Sequence, residues 1–294
     1  MTGIEEMKIK GVSVVLGSYN RKTFLINAIE SIRNELNNAD FPHEIIVVDG
    51  GSDDGSAEWL QKQKDIITII QHNRGKYKGR KIERRSWGYF MNLGFRAARG
   101  KYICMLSDDC LVIPGAIKNG YENFEGNLKK GINAGAMAFF WRNWPEQTKY
   151  AVFKFYGIIT INHGMFLRDA LDKVGYIDEE NYMFYSADVD LSFKLHKLGY
   201  ELLISENSFI EHYMHANNTS RNDNLTSYDN DNNNFISKWK QLLPKIDYSP
   251  ENRAVLVEKE YEDTTDTVLI FKRLSKYVRF KYKIRSLISG KKNV

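Results

Sequence analysis

The chain of 294 residues has only two cysteines, Cys104 and Cys110, six positions apart. So few thiols exclude a disulfide framework as the source of stability and point to a reduced, cytoplasmic setting. No stretch approaches the roughly 20 consecutive apolar residues that a bilayer-crossing helix needs. The opening MTGIEEMKIK lacks the apolar centre of a secretory leader, so export is not expected. Charge is not extreme either: 42 Lys and Arg against 37 Asp and Glu leave +5, so its distribution matters more than its size. A content of 43% hydrophobic and 27% charged residues is ordinary for a globular protein and excludes disordered and fibrous classes. The length suits one large domain, or one domain with an appendage. There is no internal repeat.

What is present is an alternation. VSVVLG (12–17), EIIVVD (44–49), IITIIQ (66–71) and KYICML (101–106) read as buried strands. Between them, Thr23 to Leu36, SAEWLQKQ and WGYFMNLGFRAARG carry helical spacing. Near-continuous apolar strands alternating with helices predict an α/β fold with a mostly parallel central sheet flanked by helices. Such sheets bind ligands beyond the carboxyl ends of their strands. Those ends here are Gly17-Ser18-Tyr19-Asn20, then Asp49-Gly50-Gly51-Ser52-Asp53-Asp54-Gly55, then Ser107-Asp108-Asp109. From 131 to 185 the strands are less regular and the loops aromatic. ELLISENSFIEHY reads as two short strands joined by a turn. Residues 216–234, rich in Asn and Asp, read as a mobile loop or linker before a helix around FISKWKQLL.

Four constellations carry chemistry. Asp108 and Asp109 place like charges side by side at a strand end, costly unless a cation neutralises them; the bland alternative is a solvated turn. VVDGGSDDGS reads as a turn into a helix capped by Ser52 or Asp53, with Asp49 able to accept hydrogen bonds from a base or ribose. It lacks the spacing of a dinucleotide fingerprint or a P-loop. His212 and His215 follow a strand and suit metal contact, without the spacing of a zinc site. In YSADVDLSFKLHKLGY, Asp188 or Asp190 suits the N-cap of a helix; if Asp190 caps, Asp188 is free to act as a base.

The order of these segments resembles the family 2 glycosyltransferases, inverting enzymes of the GT-A fold that use nucleotide-sugar donors. VSVVLGSYNR is similar to the family's opening strand and nucleotide loop, EIIVVDGGSDDGS to its EIIVVDDGSTDGS segment, and NLGFRAARGKYICMLSDD to the helix and strand that deliver its DxD motif. HGMFLRDALDKVGYIDEENYMFYSADVDLSFKLHKLGY resembles the acceptor block, and FIEHY takes the place of the late histidine. The resemblance implies a catalytic unit over 9–220. In it Asp109 would hold Mn²⁺ or Mg²⁺ on the donor's diphosphate, with His212 as a further ligand or diphosphate contact and Asp108 a possible further ligand. Asp108 would otherwise contact ribose; Gly17, Ser18, Tyr19, Asn20 and Asp49 would line the nucleoside. Asp188 would be the general base, and Trp141, Tyr185 and Ala187 would lie on the acceptor side. The partners implied are a nucleoside-diphosphate sugar and a glycan or lipid-linked glycan. Departures are Gly50 for the aspartate that commonly contacts uracil, Gly17 for threonine, Ala187 for glutamate and Ser107 for the first acid of DxD. They leave the donor base open.

Residues 221–294 form the second predicted unit, the Asn-rich loop and a basic C-terminal region. Residues 271–294 contain no acid; nine Lys and Arg alternate with apolar residues. Such a helix suits an anionic membrane at the inner face of the cell, or packs on the catalytic unit or a second subunit of a homodimer. No nucleic-acid surface continues it. The competing readings are a sugar-phosphate nucleotidyltransferase, for which GSYNR lacks the basic Gly-rich loop, and a scaffold of the same shape without turnover.

Overall fold

The computed structural model describes residues 9–37, 39–73, 76–143, 147–213, 218–243, 253–259 and 280, with 218–221 as backbone alone. The basic tail 271–294, save Phe280, and His215 lie outside the described residues.

The four sequence-predicted strands form the parallel half of the sheet: β1 (Ile9–Ser18), β2 (His43–Asp49), β3 (Ile66–Ile70) and β6 (Gly100–Ser107), in the order β3-β2-β1-β6. Val12, Val14, Val15 and Leu16 are all fully buried, because helices cover both faces. On one face lies α1 (Lys22–Leu36), which buries Leu25, Ile29, Ile32 and Leu36 at helical spacing. With it pack α2 (Ser56–Leu60) and α4 (Ala116–Lys129). The opposite face is covered by α3 (Trp87–Ala97), α5 (Arg168–Val174) and α6 (Ala187–Lys197). A two-stranded hairpin, β4 (Lys76–Tyr77) and β5 (Arg80–Lys81), stands apart between β3 and α3.

The other half of the sheet is mixed rather than parallel. β11 (Gly164–Leu167) runs antiparallel between β6 and β8 (Ala134–Asn143), followed by β9 (Tyr150–Phe155), β10 (Ile158–Ile159) and β13 (Ala254–Val257). ELLISENSFIEH is one strand, β12 (Glu201–His212), not two. Its register against β8 shifts between Ser205 and Phe209, and this bulge is what the sequence showed as a turn. The far end of β12 pairs with β7 (Cys110–Val112), setting His212 opposite Cys110 and next to Asp109.

The predicted Asn-rich loop is largely helical: α7 (Asn218–Leu225) and α8 (Tyr228–Trp239). α8 has a narrow buried face, Asp231, Phe235 and Trp239, spaced four apart. Phe235 and Trp239 join the same core as α3 and α6; burial of each is worth roughly 1.5–3 kcal/mol. Asp190, fully buried on α6, accepts from Trp239 Nε1 at 2.7 Å and Tyr182 OH at 3.1 Å and pairs with Lys238. Asp190 therefore staples α8 to α6 and does not cap its own helix. Nor does Asp188: the helix starts from Ser186, in the left-handed region at φ 61°, without a side-chain cap. Likewise α2 starts from Gly55 at φ 88° rather than from Ser52 or Asp53. Among the described residues, no helix is long and apolar enough to cross a membrane.

Candidate active site

The carboxyl ends of β1, β2 and β6 open into a cleft of about 470 Å³. Its floor holds Asp108 and Asp109, 2% and 4% exposed. Two buried carboxylates side by side need a counter-ion, and Arg21 supplies one. Its Nη1 donates to Asp108 Oδ1 at 2.8 Å and to Asp109 Oδ2 at 2.7 Å. Burial, opposed by Arg21 and reinforced by Asp109, pushes Asp108 up to about 6. Burial also works against ionised Asp109, but Arg21, His212 and the Ser107 hydroxyl hold it below its ordinary value.

His212 Nε2 lies 3.6 Å from Asp109 Oδ1. The imidazole is oriented by Asn143, whose Oδ1 is 2.7 Å from Nδ1, and by Trp141, edge-on at 5.5 Å. Trp141 also stands against His163, which burial and His212 push down to about 3, so this second ring is neutral. The donor set fits Mn²⁺ or Mg²⁺. Asp108 Oδ2 is buried without a hydrogen-bond partner, and the neighbouring Asp109 carboxylate stands 3.6 Å from His212 Nε2, so oxygen and nitrogen ligands lie together. Among the described residues, no three or more His, Cys, Asp or Glu side chains are arranged to hold an ion alone. Substrate phosphate oxygens would complete the shell, as is usual for Mg²⁺.

Across the cleft sits Asp188, in the first turn of α6. Its Oδ2 accepts from Asn162 Nδ2 at 2.5 Å and its Oδ1 from the Val189 amide at 3.0 Å. Burial raises its pKa against these bonds, the direction a general base requires. The loop before it is held from outside. Asp231 on α8, fully buried, accepts the backbone N–H groups of Met183, Phe184 and Tyr185, each at 2.9 Å. α7 closes the wall with Asn224, whose Oδ1 accepts from Arg84 Nη2 at 2.5 Å.

Of the residues singled out in the sequence, Gly17, Ser18, Tyr19, Asp108, Asp109, Trp141, Tyr185, Asp188 and His212 meet in this cleft. Three do not line it. Asp49 lies beneath the loop, its carboxylate taken up by the Gly51 and Ser52 amides and the Ser52 hydroxyl. Asn20 turns away, its Oδ1 accepting the Asp53 amide. Ala187 is buried in the core beneath α6. Gly50 has a local reason: a Cβ there would sit 2.9 Å from Tyr19 Cδ2, because the tyrosine ring covers it.

The profile of Glycosyl transferase family 2 matches residues 13–178, more than half of the chain. The chain belongs to this family. A poly-beta-1,6-N-acetyl-D-glucosamine synthase of Staphylococcus aureus is 25% identical over 222 residues, 66% of this chain and 48% of that protein. An uncharacterised glycosyltransferase of Bacillus subtilis, YfnE, is 29% identical over 153 residues, 49% of this chain and 36% of its own length. The chain thus spans between about a third and a half of these curated relatives. Among solved structures, S. aureus TarS residues 1–349 superpose with a TM-score of 0.52 at 13% identity, covering 69% of this chain and 60% of that one. The fold is GT-A, with a mixed sheet between helical layers.

Sequence reasoning missed Arg21, Asn162, His163 and the contributions of α7 and α8. Arg21 was visible as a cation, followed by Lys22, directly after a polar strand end, but nothing local said that it would reach the two acids. Asn162-His163 precedes a strand as Asp108-Asp109 follows one, but antiparallel entry into the sheet could not be read from it. Asp231 gave no signal, being one acid in a run of Asn.

Proposed function

We propose that the protein is an inverting, metal-dependent glycosyltransferase that moves a sugar from a nucleoside-diphosphate donor to a hydroxyl of a glycan or lipid-linked glycan, in polysaccharide or glycoconjugate synthesis. One observation carries this reading: the paired acids beside His212 and the carboxylate of Asp188 line a single cleft.

In this reading the donor nucleoside lies over Gly17, Ser18 and Tyr19, with the Tyr19 ring occupying the space above Gly50. Recognition of the base then differs from that in members with aspartate at this position, and GDP and dTDP stand beside UDP as candidates. Asp109 and His212, with Asp108, would hold Mn²⁺ or Mg²⁺, which when bound supplies positive charge for the departing diphosphate. Asp188 takes the proton of the acceptor hydroxyl as that oxygen attacks the anomeric carbon. A sugar cation-like transition state suits a carboxylate on the face opposite the leaving group. Asn162 and the Val189 amide fix the carboxylate, and burial keeps it basic enough for the task. One direct displacement inverts the anomeric centre.

A cytoplasmic site of action belongs to the same reading; Cys104 and Cys110 are both buried and unpaired. Association of residues 271–294 with the inner membrane face is part of the proposal and rests on their sequence alone.

The test is thermal stability with UDP, GDP, dTDP and CMP, each with and without Mn²⁺. Ligands that bind the folded state alone raise the midpoint by mass action. A Mn²⁺-dependent rise with one diphosphate, followed by donor turnover with inverted product, is expected. No shift with any of them would sink the enzyme reading in favour of a scaffold.

A further inference from the structure

The positive charge of this protein is not spread evenly. Residues 76–85 hold six Lys and Arg and one Glu, a net +5 equal to that of the whole chain. They form the β4–β5 hairpin and the irregular segment leading to α3. Lys76, Lys78, Arg80 and Lys81 are all exposed, and among the described residues none of the four is in an ion pair. Like charges this dense on a two-stranded ribbon repel one another, so the ribbon is best satisfied by an external anion.

The hairpin is pinned to the mouth of the cleft. Asn73, which lines the cleft, donates its backbone N–H to the Gly50 carbonyl at 3.0 Å. Its side chain brackets the other end of the hairpin: Oδ1 accepts the Arg85 amide at 2.6 Å and Nδ2 donates to the Arg85 carbonyl at 3.3 Å. His72 packs on Tyr77 with ring centroids 4.8 Å apart. Arg84 and Arg85 line the cleft itself, so basic side chains stand at the site as well as on the exposed turn, with Ile82 and Glu83 between the two groups.

We propose that the hairpin is the binding surface for an anionic acceptor, a chain carrying repeated phosphate or carboxylate groups, whose growing end enters the cleft past Arg84 and Arg85. This rests on the glycosyltransferase reading and names the acceptor class for it. The donor does not account for the hairpin: the cleft of about 470 Å³ is the size of a single small-molecule site, and Lys76 to Lys81 lie outside its lining. A membrane does not account for it either. Tyr77 is the one large apolar side chain the hairpin exposes, and interfacial segments need an apolar face to insert. A flexible polyanion needs only closely spaced cations, and its binding releases condensed counter-ions.

The experiment uses the full chain and the variant K76Q/K78Q/R80Q/K81Q, whose changes are all at exposed positions. Binding is measured by fluorescence anisotropy with labelled inorganic polyphosphate and polygalacturonate, with neutral dextran as control, over a range of salt. The parent is expected to bind at least one of the polyanions and not dextran. The variant should lose about tenfold or more in affinity, with a shallower salt dependence. Its Mn²⁺-dependent nucleotide shift should equal the parent's. Equal polyanion affinity in parent and variant would overturn the proposal, as would loss of binding only on deletion of 271–294. Preference of the parent for phosphatidylglycerol vesicles over both polymers would overturn it in favour of a membrane surface. A nucleotide shift without hairpin-dependent binding leaves the glycosyltransferase reading intact. Hairpin-dependent binding without any nucleotide shift or turnover would remove both that reading and the acceptor role.

Discussion

Asn162 Nδ2 and Asp188 Oδ2 are 2.5 Å apart, a side chain that precedes β11 donating to the carboxylate at the head of α6. The bond favours the ionised carboxylate while burial opposes it, and burial prevails. Asp188→Asn should therefore lower transfer by about 10²–10⁴-fold, the usual worth of a positioned base. Nucleotide-dependent stabilisation should stay intact. Unchanged turnover would remove Asp188 from the mechanism.

The same pair sets a pH dependence. A base must be ionised, so activity falls as pH drops through the Asp188 pKa, which lies above the ordinary aspartate value. Asn162→Ala removes a donor to the charged form and moves that acid limb to higher pH. An acid limb in the same place in parent and variant would mean that another group titrates.

Arg21 is the counter-ion of the acid pair. Arg21→Met leaves Asp108 and Asp109 facing each other with only His212 and the Ser107 hydroxyl beside Asp109, at a cost of about 3–5 kcal/mol in the metal-free protein. Part of the loss is relieved when Asp108 takes up a proton. Mn²⁺ alone should stabilise this variant more than it stabilises the parent, because the ion replaces the lost charge. Equal Mn²⁺ shifts, read by calorimetry, would separate the ion from these two carboxylates.

Asp231 acts through the loop it holds. Asp231→Asn keeps the shape but weakens three charge-assisted bonds to the 183–185 backbone, with a cost of about 2 kcal/mol. Turnover should fall while KM for the donor stays near the parent value, since the proposed function puts Tyr185 and Asp188 on the acceptor side. A purely structural role would lower stability and leave kcat per folded molecule unchanged.

Gly50→Ala probes the covered loop. Its Cβ, 2.9 Å from Tyr19 Cδ2, forces the ring to move. The expected result is a small loss of stability, below about 1.5 kcal/mol, with a clearly weaker nucleotide shift. A full nucleotide shift would place the base elsewhere.

The side of the cleft built on β1 and β6 was legible because these strands are apolar runs that end abruptly on polar residues. Val12–Leu16 and Tyr102–Leu106 are buried on both faces, so Ser18 and Asp108–Asp109 had to emerge at the sheet edge. On the opposite side Trp141, Tyr185 and Asp188 were named from the resemblance, but what holds them in place was not legible. β12 hides a bulge that imitates a turn. α8 hides its apolar stripe among Asn residues, because only Asp231, Phe235 and Trp239 need to face inward. The value of Asp231 depends on three amides almost fifty positions away. Asp49 was visible as a strand-end acid, but local sequence does not say that the two following residues would consume its oxygens.

α7 and α8 come from chain beyond residue 178, where the family match ends, as do Asp188 and His212. Mutational drift in 218–239 can reshape the wall that holds Asn224 and, through Asp231, the 183–185 loop, while Asp108 and Asp109 on the cleft floor keep their sequence. On the proposed function, grafting that stretch between relatives is a route to new acceptors. Trimming the chain to its family-matched stretch would discard Asp188 and His212 along with the two helices.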